Sequence, residues 1–275
     1  MINPPETHLP LAELTVEINN IARKAGEEIL KIYQSDFSIT QKDDKSPLTE
    51  ADIASHKTIC GHLAKLTPDI PVLSEESANI PFDERKLWSR YWLVDPLDGT
   101  REFIKRNGEF TVNIALIENH KPVLGVINIP VSGVIYFASE NNGAYKQTGQ
   151  QSPFIIKTRK TNSDHFILAG SRSHASKKQH SFASSLGNVE IISIGSSLKL
   201  CLVAEGKVDI YPRFGPTSEW DTAAAQCIVE EAGGIVTDDN LNPLRYNTKN
   251  SLLNPDFLVI ADKNFDWKPY LSLLN

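Results

Sequence analysis

Two aspartates in one short turn are the most informative feature of the sequence. Residues 93–100 read Leu-Val-Asp-Pro-Leu-Asp-Gly-Thr, and an apolar run at 91–94 that is typical of a buried strand leads into them. The proline between Asp95 and Asp98 fixes the backbone, and the glycine after them permits a tight turn. Two acids held so close repel each other unless a cation lies between them. Magnesium takes oxygen ligands of this kind and leaves room for a substrate phosphate, so the turn predicts a magnesium site.

Two further acids could join this pair. Glu75 follows a short apolar segment at 71–73, so its carboxylate could point from a strand end into the same cleft; alone, a Glu-Glu pair is more often a solvated loop. Asp221 precedes a run of three alanines that would let a helix pack closely. It is either an acid favoured by the dipole at a helix start or a metal carboxylate supplied by the second half of the chain.

Asp52 also has two interpretations. The spacing Thr49-x-x-Asp52 is that of a capping box, in which the acid accepts a hydrogen bond from a backbone amide at the helix start. Alternatively, Asp52 could orient the hydroxyl of Thr100 as part of a proton-accepting pair. For the Asp-x-x-Asp turn itself, the plain structural alternative is a turn closed by side-chain-to-backbone hydrogen bonds.

These residues need secondary structure to bring them together. Apolar residues from Leu11 to Ile32 recur at helical spacing, and a helix-start pattern at 47–52 predicts a second helix to about Leu66. Residues rich in Val and Ile predict sheet strands in the first half, at 71–73, 111–117 and 122–138. The second half alternates predicted strands, at 166–169, 190–194, 209–211, 234–237 and 257–260, with predicted helices near 174–186, 197–204 and 221–232.

This pattern predicts two halves. Residues 1–155 would form an N-terminal α+β half that carries the metal-binding turn, and residues 156–275 a C-terminal α/β half that carries substrate specificity. A turn-rich stretch at 148–153 separates them.

Composition narrows the class of protein. The 275 residues carry a net charge of −6, which argues against general nucleic-acid binding because that needs a basic face. Three widely spaced cysteines without a C-x-x-C pair indicate a reducing compartment. There is no signal-peptide pattern and no apolar run long enough to cross a bilayer, so we expect a cytoplasmic protein with no transmembrane segment. Peripheral contact with the cytoplasmic face of the inner membrane stays open.

The motifs together resemble a known superfamily. The D-P-L-D-G-T turn, the upstream Glu75 and the downstream W-D-T-A-A segment are similar to the magnesium-dependent, lithium-sensitive sugar phosphatases, which include inositol monophosphatase, over nearly the whole chain. Segments 91–113, 195–199 (GSSLK) and 211–216 (YPRFGP) further resemble the CysQ-type 3′(2′),5′-bisphosphate nucleotidases. The resemblance implies an α+β / α/β fold, the layered αβαβα sandwich of the inositol monophosphatase-like proteins.

The resemblance also implies a mechanism. Matching residues in that superfamily hold two or three Mg²⁺ ions, here Glu75, Asp95, the backbone carbonyl of Leu97, Asp98 and Asp221. A water made nucleophilic by metal would lose its proton toward Thr100 and Asp52, the implied catalytic pair, and a second metal would stabilise the leaving oxygen. Amides of Gly99 and Thr100 at a helix start would bind the phosphate. The implied substrate contacts are Glu75, Leu97, Asp98, Gly99, Thr100, His174, Ser196, Lys199, Arg213 and Asp221.

Arg213 best discriminates between phosphate esters. In the inositol branch a Glu that binds sugar hydroxyls lies at about this position, whereas a cation here suits a second phosphate. Ser196 and Lys199, three residues apart at a predicted helix start, could reach the same anion, and His174 matches a family position near the nucleotide, although a surface histidine is its plain alternative. We therefore expect hydrolysis of adenosine 3′,5′-bisphosphate to AMP and phosphate, in support of sulfur assimilation, with 3′-phosphoadenylyl sulfate as a further substrate.

The sequence leaves two alternative functions open. One is inositol monophosphatase or another sugar phosphatase, and the other is a catalytically silent sensor of nucleotide bisphosphates. The presence of every implied ligand and of the Asp52–Thr100 pair argues against the silent sensor. The expected partner is a small molecule, and the chain could be a monomer or a homodimer.

Overall fold

The structure, a computed structural model, describes residues 9–41, 47–171 and 177–271. Its helices are α1 Leu11–Tyr33, α2 Glu50–Leu66, α3 Phe82–Arg85, α4 Thr100–Ile104, α5 Lys177–Ser185, α6 Leu198–Ala204, α7 Glu219–Glu231 and α8 Lys268–Leu271. Its strands are β1 Ile39–Gln41, β2 Pro47–Thr49, β3 Val72–Ser74, β4 Arg90–Asp98, β5 Thr111–Glu118, β6 Lys121–Ile129, β7 Val134–Ser139, β8 Ala144–Thr148, β9 Phe154–Ile155, β10 Phe166–Ser171, β11 Val189–Ile194, β12 Ile210–Arg213, β13 Ile235–Asp238 and β14 Phe257–Ile260.

Two sheets organise these elements. The first has the order β3-β4-β5-β6-β7-β8-β9 and is antiparallel except for the parallel pair β3–β4. The second has the order β11-β10-β12-β14-β13, in which β10 is parallel to both neighbours and β14 is antiparallel to both of its own. The alternation predicted for the second half is therefore correct for its parallel part, and β13 and β14 add an antiparallel edge.

The elements form five layers, because successive side chains along each strand point to opposite faces of the sheet and helices can pack on both faces. Trp92 and Val94 of β4 pack into one apolar cluster with α1 and α2, while Tyr91 and Leu93 pack on the opposite face with α6 and α7. In the second sheet, Phe166 and other residues of one face pack against α5 and α8, and the other face joins α6 and α7. The order is α1/α2, first sheet, α6/α7, second sheet, α5/α8, which confirms the predicted αβαβα sandwich.

Close packing places α7 on the first sheet. A Cβ added at Gly125 of β6 would lie 2.2 Å from the carbonyl oxygen of Ala224, so only a glycine lets the helix backbone approach this near. The alanine run at 223–225 thus serves contact with β6. Because α7 follows the proposed boundary at 155/156 yet packs on the first sheet, the two halves share a core, and the boundary itself stays a prediction.

Most long elements match their predictions. The helices at 11–33 and 50–66 and every predicted strand of the second half are present. The helix predicted from 174 is described only from Lys177, because residues 172–176 lie outside the described ranges. Within those ranges, no helix combines the length and the apolar character that a membrane crossing requires.

Candidate active site

Three carboxylates meet where β4 ends and α7 begins. Asp95 and Asp98 belong to β4, and Asp221 is the third residue of α7. One oxygen of each lies within 4.8 Å of the others. Asp95 is buried, and the other two are half-buried. Residues more than 120 positions apart in the sequence are thus brought into one cluster.

The strand does not end before the aspartates, contrary to our expectation. β4 continues to Asp98, and its pairing with β5 shifts register between Asp95 and Asp98. Such an irregularity re-aims side chains, and here it lets both carboxylates face the same side. The Asp95 Oδ1 atom also accepts a hydrogen bond from the amide of Leu97 at 3.0 Å, so the turn closure considered for an Asp-x-x-Asp motif is present together with the acid cluster.

Glu75 joins the cluster from the neighbouring strand. β3 runs parallel to β4 with Ser74 opposite Val94. The next residues along the two strands, Glu75 and Asp95, therefore lie at the same edge of the sheet. Glu75 opens a 3₁₀ turn there, and its carboxyl makes a side-chain hydrogen bond with Asp95. The solvated-loop alternative for Glu75 is therefore not what the structure shows.

The acids strongly perturb one another. Burial raises the pKa of Asp95 well above its usual range, and the charges of Glu75, Asp98 and Asp221 raise it further. Burial, followed by the charge of Asp98, raises the pKa of Asp221 to about 8. Burial also raises the pKa of Asp98, against the opposing effect of Lys199.

These perturbations indicate a cation site. Carboxylates crowded in this way hold protons unless a cation neutralises them, and an all-oxygen donor set suits Mg²⁺ better than a softer metal. The donor set therefore fits the ion implied by the sequence. Glu75, Asp95, Asp98, Asp221 and the carbonyl of Leu97 are the groups that could hold it.

Gly99 shapes the backbone after the acids. Its φ of 94° lies in the left-handed region, and it precedes the first residue of α4, Thr100. A Cβ here would meet the carbonyl oxygen of Glu109 at 3.0 Å and Ser196 Cβ at 3.3 Å. Both the conformation and the space thus call for glycine. The amides of Gly99 and Thr100 lie at the start of α4, and their contact with phosphate stays a prediction.

Asp52 makes the contacts that both interpretations from the sequence require, and its part in proton transfer stays a prediction. Its Oδ2 accepts hydrogen bonds from the Thr49 amide at 2.8 Å and the Thr49 hydroxyl at 2.6 Å, which completes the capping box of α2. Its Oδ1 accepts a hydrogen bond from the Thr100 hydroxyl at 3.3 Å. Burial raises the pKa of Asp52 to about 6, so this carboxylate can take up a proton near neutral pH.

Two supporting residues were not identified from the sequence. The Ser197 amide donates to Asp98 Oδ2 at 2.5 Å, and the Ser197 hydroxyl donates to Asn113 Oδ1 at 3.0 Å. The Asn113 side chain also lies near Asp98 and opposes the rise in the pKa of that carboxyl. Asn113 is a polar residue within a strand that is buried except at its last residue, Glu118. This was the available signal, since a buried polar side chain is expected to find partners.

Lys199 is more enclosed than a simple anion-binding lysine. It is only 6% exposed, and its Nζ donates to the carbonyl of Ser196 at 2.6 Å and that of Ile194 at 3.3 Å. The ammonium lies 5.4 Å from the centre of the Tyr211 ring, and burial lowers its pKa to about 8. In this conformation Lys199 holds the turn at Ser196, whose φ is 46°, and offsets the charge of Asp98.

Arg213 lies beside this lysine, at the end of β12. It is half-buried, its Nη2 donates to the carbonyl of Pro216 at 3.0 Å, and its charge lowers the pKa of Lys199. Arg213 Nε and Ser196 Oγ are buried atoms without a hydrogen-bond partner in the described parts of the chain, so a ligand could satisfy them. The structure therefore brings Ser196, Lys199 and Arg213 next to the acids, whereas His174 lies outside the described residues.

Comparison with known proteins identifies the family of this chain. A sequence profile described as the inositol monophosphatase family matches residues 11–265. The chain is 48% identical over 245 residues to the 3′(2′),5′-bisphosphate nucleotidase CysQ of Salmonella typhimurium, and 46% identical to that of Escherichia coli K12. Each alignment covers 88% of this chain and 98% of the relative.

Solved structures give the same result. The chain superposes on CysQ from Bacteroides thetaiotaomicron, described as a bacterial member of the inositol monophosphatase family, with a TM-score of 0.80 and 45% identity, covering 92% of this chain and 98% of the other. An inositol monophosphatase from Zymomonas mobilis matches with a TM-score of 0.76 and 26% identity, over 97% and 99% of the two chains. The chain belongs to the inositol monophosphatase family.

Proposed function

We propose that this protein is a magnesium-dependent phosphatase that hydrolyses the 3′-phosphate of adenosine 3′,5′-bisphosphate to AMP and phosphate, with 3′-phosphoadenylyl sulfate as a further substrate. One observation carries the proposal: a cationic group, Arg213 with Lys199, adjoins a carboxylate cluster suited to metal. A substrate with two phosphates can use both parts. The 3′(2′),5′-bisphosphate nucleotidases at 46–48% identity support the same substrate class.

The residues divide the chemistry among them. When bound, Mg²⁺ lowers the pKa of a coordinated water and neutralises charge on the phosphate. The Thr100 hydroxyl donates a hydrogen bond to Asp52. Its oxygen can therefore accept a proton from the attacking water as its own proton passes to Asp52. The Ser197 amide keeps Asp98 oriented, and Asn113 accepts a hydrogen bond from the Ser197 hydroxyl.

The other end of the substrate meets the cations. The guanidinium of Arg213 offers a planar fork of donors that matches a phosphate, which a carboxylate at the same place would repel. Ser196 and Lys199 would add a hydroxyl and a positive charge beside it. This arrangement does not suit a sugar that carries one phosphate and several hydroxyls.

A panel of substrates tests the proposal. Purified protein with Mg²⁺ would receive adenosine 3′,5′-bisphosphate, 3′-phosphoadenylyl sulfate, adenosine 3′-monophosphate and inositol 1-phosphate in parallel. We expect kcat/KM for the bisphosphate to exceed that for inositol 1-phosphate by at least about 100-fold, the size of two charge-assisted contacts. A preference for inositol 1-phosphate would refute the substrate assignment. Tight binding of the bisphosphate without turnover of any ester would instead favour the silent sensor.

The cellular setting follows as part of the same proposal. The free cysteines Cys60, Cys201 and Cys227 are consistent with work in the reducing cytoplasm, where clearance of adenosine 3′,5′-bisphosphate would support sulfur assimilation. A monomeric or homodimeric state, and peripheral contact with the inner membrane, stay predictions.

A further inference from the structure

Asp256 accepts a hydrogen bond from the turn that follows Arg213. Arg213 is the last residue of β12 and lies opposite Phe257 in the antiparallel pair with β14. Asp256 precedes β14, and its Oδ1 accepts a hydrogen bond from the Gly215 amide at 3.1 Å. Together with the bond from Arg213 to the Pro216 carbonyl, this contact closes the segment 213–216, here called the arginine turn.

The arginine turn contains one restricted and one permissive position, since Pro216 has a fixed φ and Gly215 has no Cβ. Gly215 has a φ of 148°, and a Cβ added there would meet no atom within 4 Å. Pro216 disfavours helical backbone at Gly215, and within that limit the contacts around the turn help to decide where it sits. Asp256 is one of these contacts, beside the hydrogen bond from Arg213 to the Pro216 carbonyl.

A lysine ties Asp256 to a second element. Lys178 of α5 places its Nζ 3.0 Å from Asp256 Oδ2 and 4.7 Å from the centre of the Phe214 ring. Phe214 in turn packs edge-on against Phe182 of α5, with ring centres 6.2 Å apart. Asp256 thus joins three parts of the second half: the start of α5, the arginine turn and β14.

The connection has a consequence for the substrate. α5 begins directly after residues 172–176, which include His174, a predicted nucleotide contact. One carboxylate therefore links the arginine turn to the first turn of α5. Bidentate recognition of a phosphate depends on the direction of the guanidinium, and small displacements of a binding group are costly.

We propose that Asp256, paired with Lys178, is a positioning residue that orients Arg213 and thereby sets the preference for a substrate with a second phosphate. The proposal rests on the proposed function. In this role Asp256 orients Arg213 and does not itself contact the phosphate that is hydrolysed.

The test compares two substrates that differ only in the second phosphate. For Asp256→Ala and Lys178→Gln, kcat/KM would be measured with adenosine 3′,5′-bisphosphate and with adenosine 3′-monophosphate. We expect the ratio of the two values to fall about tenfold in Asp256→Ala and about threefold in Lys178→Gln, in line with the loss of an ion pair that orients a binding group. An unchanged ratio in both variants would overturn the proposal, and Lys178→Gln decides the matter if Asp256→Ala does not fold.

A double variant separates positioning from general damage. In an Arg213→Ala background, Asp256→Ala should leave the ratio where Arg213→Ala alone puts it, because the group that it orients is gone. A second tenfold fall would show that Asp256 acts independently of Arg213, and would reject this mechanism. Asp262→Ala is the matched control, since Asp262 also accepts from backbone amides and pairs with Lys160 in the same half, and it should keep the wild-type ratio.

Measurements on the wild-type protein distinguish failure of the proposed function from failure of the positioning role of Asp256. If it does not prefer the bisphosphate over the monophosphate, the proposed function fails and this proposal fails with it. If wild type has the preference and the Asp256 and Lys178 variants keep it, the positioning role alone is wrong.

Discussion

Asp52 and Asp221 occupy the same place in the same motif at the starts of two helices. Each is the third residue of its helix and the acid of a capping box, and in each the Oδ2 atom accepts a hydrogen bond from the amide of the N-cap residue at 2.8 Å, Thr49 for α2 and Ser218 for α7. Their remaining surroundings differ. Asp52 meets the Thr100 hydroxyl, whereas Asp221 meets two other carboxylates.

The difference appears in their acidity. The pKa of Asp52 rises by burial to about 6, and hydrogen bonds from Thr49 hold it back. The pKa of Asp221 rises to about 8 by burial and by the charge of Asp98. Identical local motifs thus give one acid that can exchange a proton near neutral pH and one that calls for a cation. The group that lies against the other oxygen of the carboxyl is set by tertiary structure, and that group decides which of the two behaviours results.

Asp221→Asn tests the cation side of this comparison and should have the largest effect. Asparagine keeps an oxygen for the Ser218 amide, so α7 should still begin correctly, but one anionic ligand is lost. We expect the Mg²⁺ concentration for half-maximal activity to rise at least about 100-fold, beyond the usual cost of losing a group that only orients a ligand. Calorimetric titration with Mg²⁺ in the absence of substrate checks the same loss. Unchanged Mg²⁺ affinity would remove Asp221 from the metal site.

Asp52→Asn tests the proton side. Mg²⁺ affinity should stay within about threefold of wild type, while kcat falls about 10²- to 10³-fold, the range typical of a lost general acid–base group. The carboxylate must be ionised to accept a proton, so wild-type kcat should rise with pH through about 6, the folded-state pKa, and level off above it. The pH profile of Asp52→Asn should lack this rise in kcat. A pH profile that keeps it would assign the titration to another group.

The same comparison shows what the sequence could predict. Both capping boxes are local patterns, and the turn at Asp95 and Asp98 is local as well, so all were visible in a single chain. The meeting of Asp221 with Asp95 depends on α7 docking on β6, which no local pattern encodes. Asn113 and Ser197 were overlooked for the same reason, because their role appears only when β5 and the turn before α6 come together around Asp98.

Lys199 illustrates a further limit of the sequence. Its spacing from Ser196 suggested a side chain that reaches for an anion. The structure encloses it among backbone carbonyls, where it shapes the turn that supplies the Ser197 amide to Asp98. A lysine can do both, but its burial and hydrogen bonds follow from the packing of α6 between two sheets, and residue type and spacing do not reveal them.

Gly125→Ala disturbs α7 without touching any carboxylate. The new methyl group would lie 2.2 Å from the Ala224 carbonyl, and a backbone atom in a packed helix cannot move away without shifting the helix. We expect a loss of about 1–3 kcal/mol in the free energy of unfolding, together with weaker Mg²⁺ binding because Asp221 moves with α7. Chemical denaturation and Mg²⁺ titration would measure the two effects. Loss of stability with normal Mg²⁺ affinity would mean that Asp221 is positioned independently of this contact.

Gly61→Ala is the matched change in α2 and should have the smallest effect, of opposite sign. Gly61 is exposed in the interior of the helix, and an added Cβ would meet nothing within 4 Å. Alanine should therefore stabilise the protein by about 0.5–1 kcal/mol through its better helix propensity, raising Tm by about 1–2 °C. Thermal unfolding checks the gain, and kcat and Mg²⁺ affinity should equal those of wild type. If this variant lowered kcat, Asp52 would be sensitive to strain along α2, and the two helices would differ less than their packing indicates.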